Sequence, residues 1–166
     1  ASDEQKARWL PKLCSGEWVG AMAMSEPHVG TDVLGMKTTA VKKGDRYVIN
    51  GRKMWITNGT IDDQGTPCDC VLVYAVTGEK NGRPLLSTFL VEKTVKGFTV
   101  GQKIRDKLGM RASNTAELVF QDCEVPAANL IGAEGESMMH MMRNLEIERL
   151  TLAAMSVGMA RRALEI

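Results

Sequence analysis

The sequence predicts a mainly β fold, an antiparallel barrel or sandwich with a short helix before it and a long one after it. Three observations carry this prediction. Between residues 19 and 126, about seven short β-rich runs are separated by Gly, Asn and Asp turns, the pattern of an all-β domain. Residues 136–166 contain no proline and one glycine, Gly158, and are rich in Met, Leu, Ala and Arg, all good helix formers. Ser2-Asp3-Glu4-Gln5 reads as a capping box, with acids in the first turn of a helical pattern.

The totals fit a globular chain. With 166 residues, 44% hydrophobic and 25% charged, it suits one domain, or one domain with parts of its neighbours. Lys+Arg 21 against Asp+Glu 20 leaves a formal +1 with no sustained basic block, which argues against nucleic acid or an anionic membrane as the main partner. No apolar run is long enough to span a bilayer, and the N-terminus has no signal-peptide pattern. Cys14, Cys68, Cys70 and Cys123 form neither a disulfide framework nor a zinc pattern. Cys68-Asp-Cys70 has no second pair and no histidine nearby, so reduced thiols and no metal are expected. The eleven methionines read first as core filling.

In chain order, Ala7, Leu10 and Leu13 recur at helical spacing, with Pro11 late in the pattern and Gly16 after it, so a short or kinked helix is expected. Strands follow from Val19. Thr38–Lys42 alternates, Gly44-Asp45 turns, and Arg46–Ile49 is a second strand ending at Asn50-Gly51, a hairpin signal. Lys53–Thr57, Val71–Val76, Ser87–Val91, Gly97–Val100 and Glu117–Phe120 complete the set, with Thr77–Pro84 as a polar loop. The expected partition is 1–18 for the end of a helical domain, 19–130 for the β domain, and 131–166 for the first helix of a further domain.

Three stretches could carry chemistry. In Met22–Asp32, the apolar run Val19, Ala21, Met22, Ala23, Met24 ends in Ser25 and Glu26. Pro27 and Gly30 then force a polar loop at a strand end. Such a loop fits either a capped surface turn or a wall that holds a ligand's polar edge. In Lys53–Gly59, alternation puts Trp55 and Thr57 on one face and Met54 and Ile56 on the other. An indole beside a hydroxyl suits a flat hydrogen-bonding ligand, and equally a core Trp beside a strand Thr. In the last helix, Met141, Leu145, Glu148, Leu152, Met155 and Met159 form one stripe. A glutamate within an apolar stripe is costly to desolvate, so a raised pKa and a proton-transfer role are expected; a structural ion pair, with Arg149 adjacent, explains it as well.

These stretches occur together and in order, and the chain resembles the middle part of the acyl-CoA dehydrogenases over essentially its whole length. Met22-Ala-Met-Ser-Glu-Pro27 with Gly30-Thr-Asp32 resembles the family's flavin-loop signature. Gly51-Arg-Lys-Met-Trp-Ile-Thr-Asn-Gly59 resembles its second flavin segment, and Lys107–Thr115 and Val125-Pro126 resemble further landmarks. Asn144-Leu-Glu-Ile-Glu-Arg-Leu150 is most similar to the isovaleryl-CoA branch, which with the long-chain enzymes places its catalytic base on this helix. Val29 departs from the small residue usual in the flavin loop, and Met139 from an aromatic near the substrate pocket.

The resemblance implies an FAD-dependent α,β-dehydrogenation of an acyl-CoA thioester, with isovaleryl-CoA to 3-methylcrotonyl-CoA in leucine catabolism as the leading reaction. Another short, branched or long-chain acyl-CoA dehydrogenase is the alternative within the family, and a non-catalytic β-barrel binding module the alternative outside it. It implies Glu148 as base, Met22, Met24, Ser25, Thr31, Trp55, Ile56 and Thr57 at the flavin, and Thr31, Glu146 and Arg149 toward the CoA. Glu146 lies about 200° around an ideal helix from Glu148, which sets it apart from a shared pocket. Electron-transfer flavoprotein as acceptor, a homotetramer and the mitochondrial matrix are implied in the same way. The chain is expected to be part of a longer enzyme, with this part alone binding FAD weakly and turning nothing over.

Overall fold

The computed structural model describes residues 1–166. Helix α1 spans Asp3–Ser15 and runs through Pro11 to a left-handed Gly16. The Ser2–Gln5 capping box is formed on both sides, as the sequence predicts. Eight strands follow: β1 Gly20–Ala23, β2 Thr39–Lys43, β3 Arg46–Thr57, β4 Cys70–Lys80, β5 Arg83–Glu92, β6 Phe98–Lys103, β7 Thr115–Pro126 and β8 Leu130–Ile131. Helix α2 spans Ser137–Leu164.

The strands form one sheet in the order β6-β7-β3-β2-β4-β5-β8, with β1 added alongside β4. Most pairs are antiparallel, but β1 runs parallel to β4, and β2 meets β4 in parallel at Thr39 and Val76. The sheet curls on itself, since Tyr47 of β3 packs against Phe89 of β5 with ring centroids 4.7 Å apart. Ile49, Val71, Val73, Leu118, Phe120 and Val125 fill the enclosed core.

Asn50-Gly51 does not make the predicted hairpin. β3 continues through it, and the predicted strands Arg46–Ile49 and Lys53–Thr57 are its two halves. A Cβ on Gly51 would sit 2.7 Å from the Thr38 Cα, so glycine is needed here for a close backbone approach rather than a turn. Asn50 instead clasps the neighbouring strand: the Asp122 N–H donates to Asn50 Oδ1 at 2.8 Å, and Asn50 Nδ2 donates to Asp122 Oδ1 at 3.2 Å. Asp122 has φ of 47° and lies where the β3–β7 register slips, so Asn50 pins a bulge. The primed hairpin falls elsewhere, at Asn81-Gly82, where φ is 53° and 72° and Lys80 pairs with Arg83. The expected polar loop Thr77–Pro84 is therefore mostly strand.

Both helices dock on outer faces of the sheet. α1 buries Trp9 against Cys70 and Leu90, and the Trp9 indole N–H donates to Glu92 at 2.8 Å. α2 buries Met141 against Tyr74, Leu86 and Met36. Its start is fixed by Ser137, whose hydroxyl meets that of Thr88 at 2.6 Å, and by the preceding loop, where Tyr47 donates to Glu134 at 2.8 Å. Cys68, Cys70 and Cys123 are buried and unpaired, and burial pushes their thiols up to about 12, 11 and 12, which keeps them protonated.

Candidate functional site

The site begins with β1. Its apolar residues end at Ala23, and the chain turns at once: Glu26 and Val29 exchange backbone hydrogen bonds at 2.8 and 3.1 Å around Pro27 and His28. Val29 is buried under this turn, so the position filled by a small residue in the family pattern here holds an apolar plug. The Glu26 carboxylate points inward, where it accepts from the backbone N–H groups of Lys37 at 2.7 Å and Thr38 at 3.0 Å. Lys53 Nζ reaches it from β3 at 3.0 Å and also donates to the Met24 carbonyl at 3.0 Å. The turn thus hangs on an ion pair that is closed to water, and Ser25 and Met24 are held at its rim.

β3 supplies the second wall through an irregularity. Lys53 pairs with Leu118 and Ile56 with Ala116, so β3 carries one residue more than β7 between those pairs. Trp55 occupies the bulge with φ of 59°, a left-handed conformation rare for a bulky residue. The bulge resets the alternation. Lys53 and Ile56 are buried three residues apart, while Trp55 is 56% exposed and Thr57 is exposed beside it. The core-tryptophan reading of Trp55 is thereby excluded. The Met54 N–H donates to the Ser25 carbonyl at 2.9 Å and ties the two walls together.

α2 closes the third side. A cleft of about 270 Å³ is lined by Met22, Met24 and Ser25 from the first wall, Trp55, Ile56 and Thr57 from the second, and Met141, Asn144, Leu145 and Glu148 from the helix. Tyr74 of β4 completes the lining. Positions 141, 144, 145 and 148 repeat at one face of a helix, which is why a single straight element presents them together. Tyr74 is 4% exposed, and its hydroxyl has one partner, the Met22 sulfur at 3.9 Å. Burial, and then the charge of Glu148, raise this phenol above its ordinary value.

Nine of the residues singled out in the sequence share this cleft: Met22, Met24, Ser25, Trp55, Ile56 and Thr57, with Met141, Leu145 and Glu148 of the helical stripe. Thr31, Glu146 and Arg149 are exposed and lie outside its lining. Met139 is also outside, 64% exposed on α2. The apolar stripe behaves differently from its sequence-based reading. Met141 is buried and Leu145 half-buried, but Leu152, Met155 and Met159 are each more than half exposed, and Glu148 is half-buried. The full desolvation expected around Glu148 is therefore not supplied by these residues. Sequence reasoning missed Tyr74, Asn144 and the Glu26–Lys53 pair. Lys53 left one signal, because it falls in phase with the inward-facing Tyr47 and Ile49 of the same strand.

A curled β domain sets thioethers, an open indole and two hydroxyls opposite a carboxylate on a docked helix, all lining one cleft. Residues 21–123 match the middle domain of the acyl-CoA dehydrogenases. The chain belongs to the acyl-CoA dehydrogenase family. It is 46% identical to the mitochondrial isovaleryl-CoA dehydrogenase of Pongo abelii, over 99% of this chain and 38% of that protein. It resembles the crystal structure of an acyl-CoA dehydrogenase from Geobacillus kaustophilus with TM-score 0.83 and 44% identity, over 92% of this chain and 39% of that one. A glutaryl-CoA dehydrogenase from Mycobacterium smegmatis, solved in complex with FADH2, matches with TM-score 0.71 and 38% identity, over 82% of this chain and 33% of that one. The chain thus spans about two fifths of the length of the relatives it matches.

Proposed function

We propose that the full-length protein carries out FAD-dependent α,β-dehydrogenation of an acyl-CoA thioester at this cleft, with Glu148 as the base that takes the α-proton. The observation that supports this best is the convergence of Ser25, Trp55 and Thr57 with Glu148 on one cleft from three separate elements. The residues suit a flavin: the exposed indole of Trp55 and the Met22 and Met24 side chains offer flat, polarisable surface, while Ser25 and Thr57 offer hydroxyls to ring heteroatoms. When bound, FAD supplies the hydride acceptor. The protein's own part is positioning. Met141 and Leu145 keep one side of the cleft dry, and a Glu148 oxygen accepts the proton. Thr31 and Arg149, exposed beyond the cleft, are proposed as contacts for the CoA portion, with Glu146 as a further contact on another side of the helix.

Isovaleryl-CoA is the substrate we infer, supported by the 46% identity to an enzyme of that name and by a glutamate at position 148. The nearly equal identity of the Geobacillus acyl-CoA dehydrogenase favours a second reading, an acyl-CoA dehydrogenase for another short, branched or long acyl chain. Electron-transfer flavoprotein as acceptor, a homotetramer, a mitochondrial location and the 1–18, 19–130, 131–166 partition belong to the same proposal. The test is Glu148→Gln in the full-length enzyme. It should keep the flavin absorbance and bind acyl-CoA while turnover falls by about two to four orders of magnitude. Near wild-type turnover would remove Glu148 from the base role.

A further inference from the structure

A second cleft, of about 440 Å³, lies between the end of β6 and the start of β7 and is predominantly polar. Its lining contains four cations, Lys103, Arg105, Lys107 and Arg111, against two carboxylates, Asp63 and Asp106. The cations are not equivalent. Lys103 is paired with Asp63, and Arg105 donates to the Asp63 carbonyl at 2.7 Å. Lys107 and Arg111 form no ion pair.

Both of these unpaired cations are held in place by neutral oxygens. Lys107 Nζ donates to the Ser113 carbonyl at 2.6 Å and to the Thr115 hydroxyl at 2.8 Å, and its side chain is half-buried. An ammonium has three protons, so one remains to be donated into the cleft. Arg111 Nε donates to the Lys107 carbonyl at 2.9 Å, which orients the guanidinium and leaves its terminal edge unused. The loop reaches this shape through left-handed Asp106 and Met110, a backbone arrangement that costs energy and persists only where its surroundings enforce it. Two tethered cations without ion-pair partners, in a concave site also lined by Ser113 and Asn114, are placed to receive an oxyanion.

We propose that this cleft binds a phosphate-type oxyanion, with Lys107 and Arg111 as its charged donors. The site adjoins the first cleft: Thr57, which lines that cleft, pairs across the sheet with Thr115, whose hydroxyl holds Lys107. The oxyanion can therefore be a free phosphate or one carried by a larger ligand seated in the first cleft.

The test uses the full-length protein and inorganic pyrophosphate at neutral pH, with chloride at matched ionic strength as the control for screening. Pyrophosphate should raise the melting temperature, and calorimetry should give an affinity that falls at least about tenfold in Lys107→Met and in Arg111→Gln. Arg111 is exposed, so its variant should fold even if the Lys107 variant does not. Lys43→Met, which removes an exposed cation elsewhere, should leave the affinity unchanged. If saturating FAD or CoA abolishes pyrophosphate binding, the oxyanion belongs to that ligand; if neither does, it is a separate ligand. Either result supports the site. Equal affinity in wild type, Lys107→Met and Arg111→Gln, or no binding above the chloride control, overturns it. Neither outcome depends on whether Glu148 is the base.

Discussion

The Lys53 ammonium lies 3.0 Å from the Glu26 carboxylate with both side chains closed to water, at 0% and 2% exposure. This pair stands directly behind the first wall of the cleft, because Lys53 also holds the Met24 carbonyl and Glu26 holds the backbone of Lys37 and Thr38. A buried pair is weak evidence for net stability, but losing one partner strands the other charge without water. Lys53→Met and Glu26→Gln should each cost about 3–5 kcal/mol in urea unfolding. The double variant should recover a substantial part of that loss, since no charge is left stranded. A double-variant loss equal to the sum of the two would show that the side chains act independently.

The same pair sets a pH dependence. Burial alone would raise the Glu26 carboxyl, but hydrogen bonds from Thr38 and Lys37 and the charge of Lys53 outweigh it and hold the group below its ordinary value of 4.5. Below 4.5 the unfolded chain therefore takes up the proton first, so this contribution is present above 4.5 and is lost as pH falls through the folded value. Burial also depresses Lys53, to about 8, against the opposing pull of Glu26. Between about 8 and 10.5 the folded protein has released a proton that the unfolded chain keeps, and stability rises with pH across that window. Unfolding midpoints of wild type and Glu26→Gln should therefore converge as pH is lowered from 7 to 3. A constant gap over that range would contradict the assignment.

Trp55 separates the demands of the fold from those of the cleft. Its left-handed backbone costs roughly 1–2 kcal/mol for a residue with a side chain, and its indole is more than half exposed. Trp55→Gly should leave folding stability within about 1 kcal/mol of wild type, because relief of strain offsets the small packing loss. Flavin affinity of the full-length protein should fall at least about tenfold, as the aromatic surface is gone. Flavin fluorescence quenching on titration reads the affinity, and unchanged binding would remove Trp55 from the ring site.

The sequence made most of the architecture legible, and its misreadings have a common physical origin. Periodicity located the strands and both helices, and the Ser2–Gln5 box and the long Gly- and Pro-poor segment worked because they depend on local chemistry. Asn50-Gly51 failed because its demand for glycine comes from Thr38, the residue just before β2, a contact that no local window contains. Lys53 was passed over because its partner sits 27 residues away, on a turn whose polar residues already fit the solvent. In the cleft, Trp55 and Thr57 were found from strand alternation, although a bulge rather than plain alternation exposes them. Glu148 was found from its helical stripe, yet these residues bury only the first part of that stripe. Tyr74 carried no signal, since an aromatic in a buried strand is the ordinary expectation.

Gly51 gives the sharpest stability test of this reading of β3. A true hairpin glycine in a two-residue turn points its missing side chain at solvent, where alanine is strained but not crowded. Here an added Cβ would meet the Thr38 Cα and Cβ, each at 2.7 Å, with Thr38 itself 1% exposed and unable to move outward freely. Gly51→Ala should cost about 1–3 kcal/mol through overpacking, added to the strain of a φ of 155°. Thr38→Gly removes the side chain that crowds the site. The combined Gly51→Ala, Thr38→Gly variant should therefore lose less than the sum of the two single changes in urea unfolding. Strict additivity would mean that the two positions do not touch.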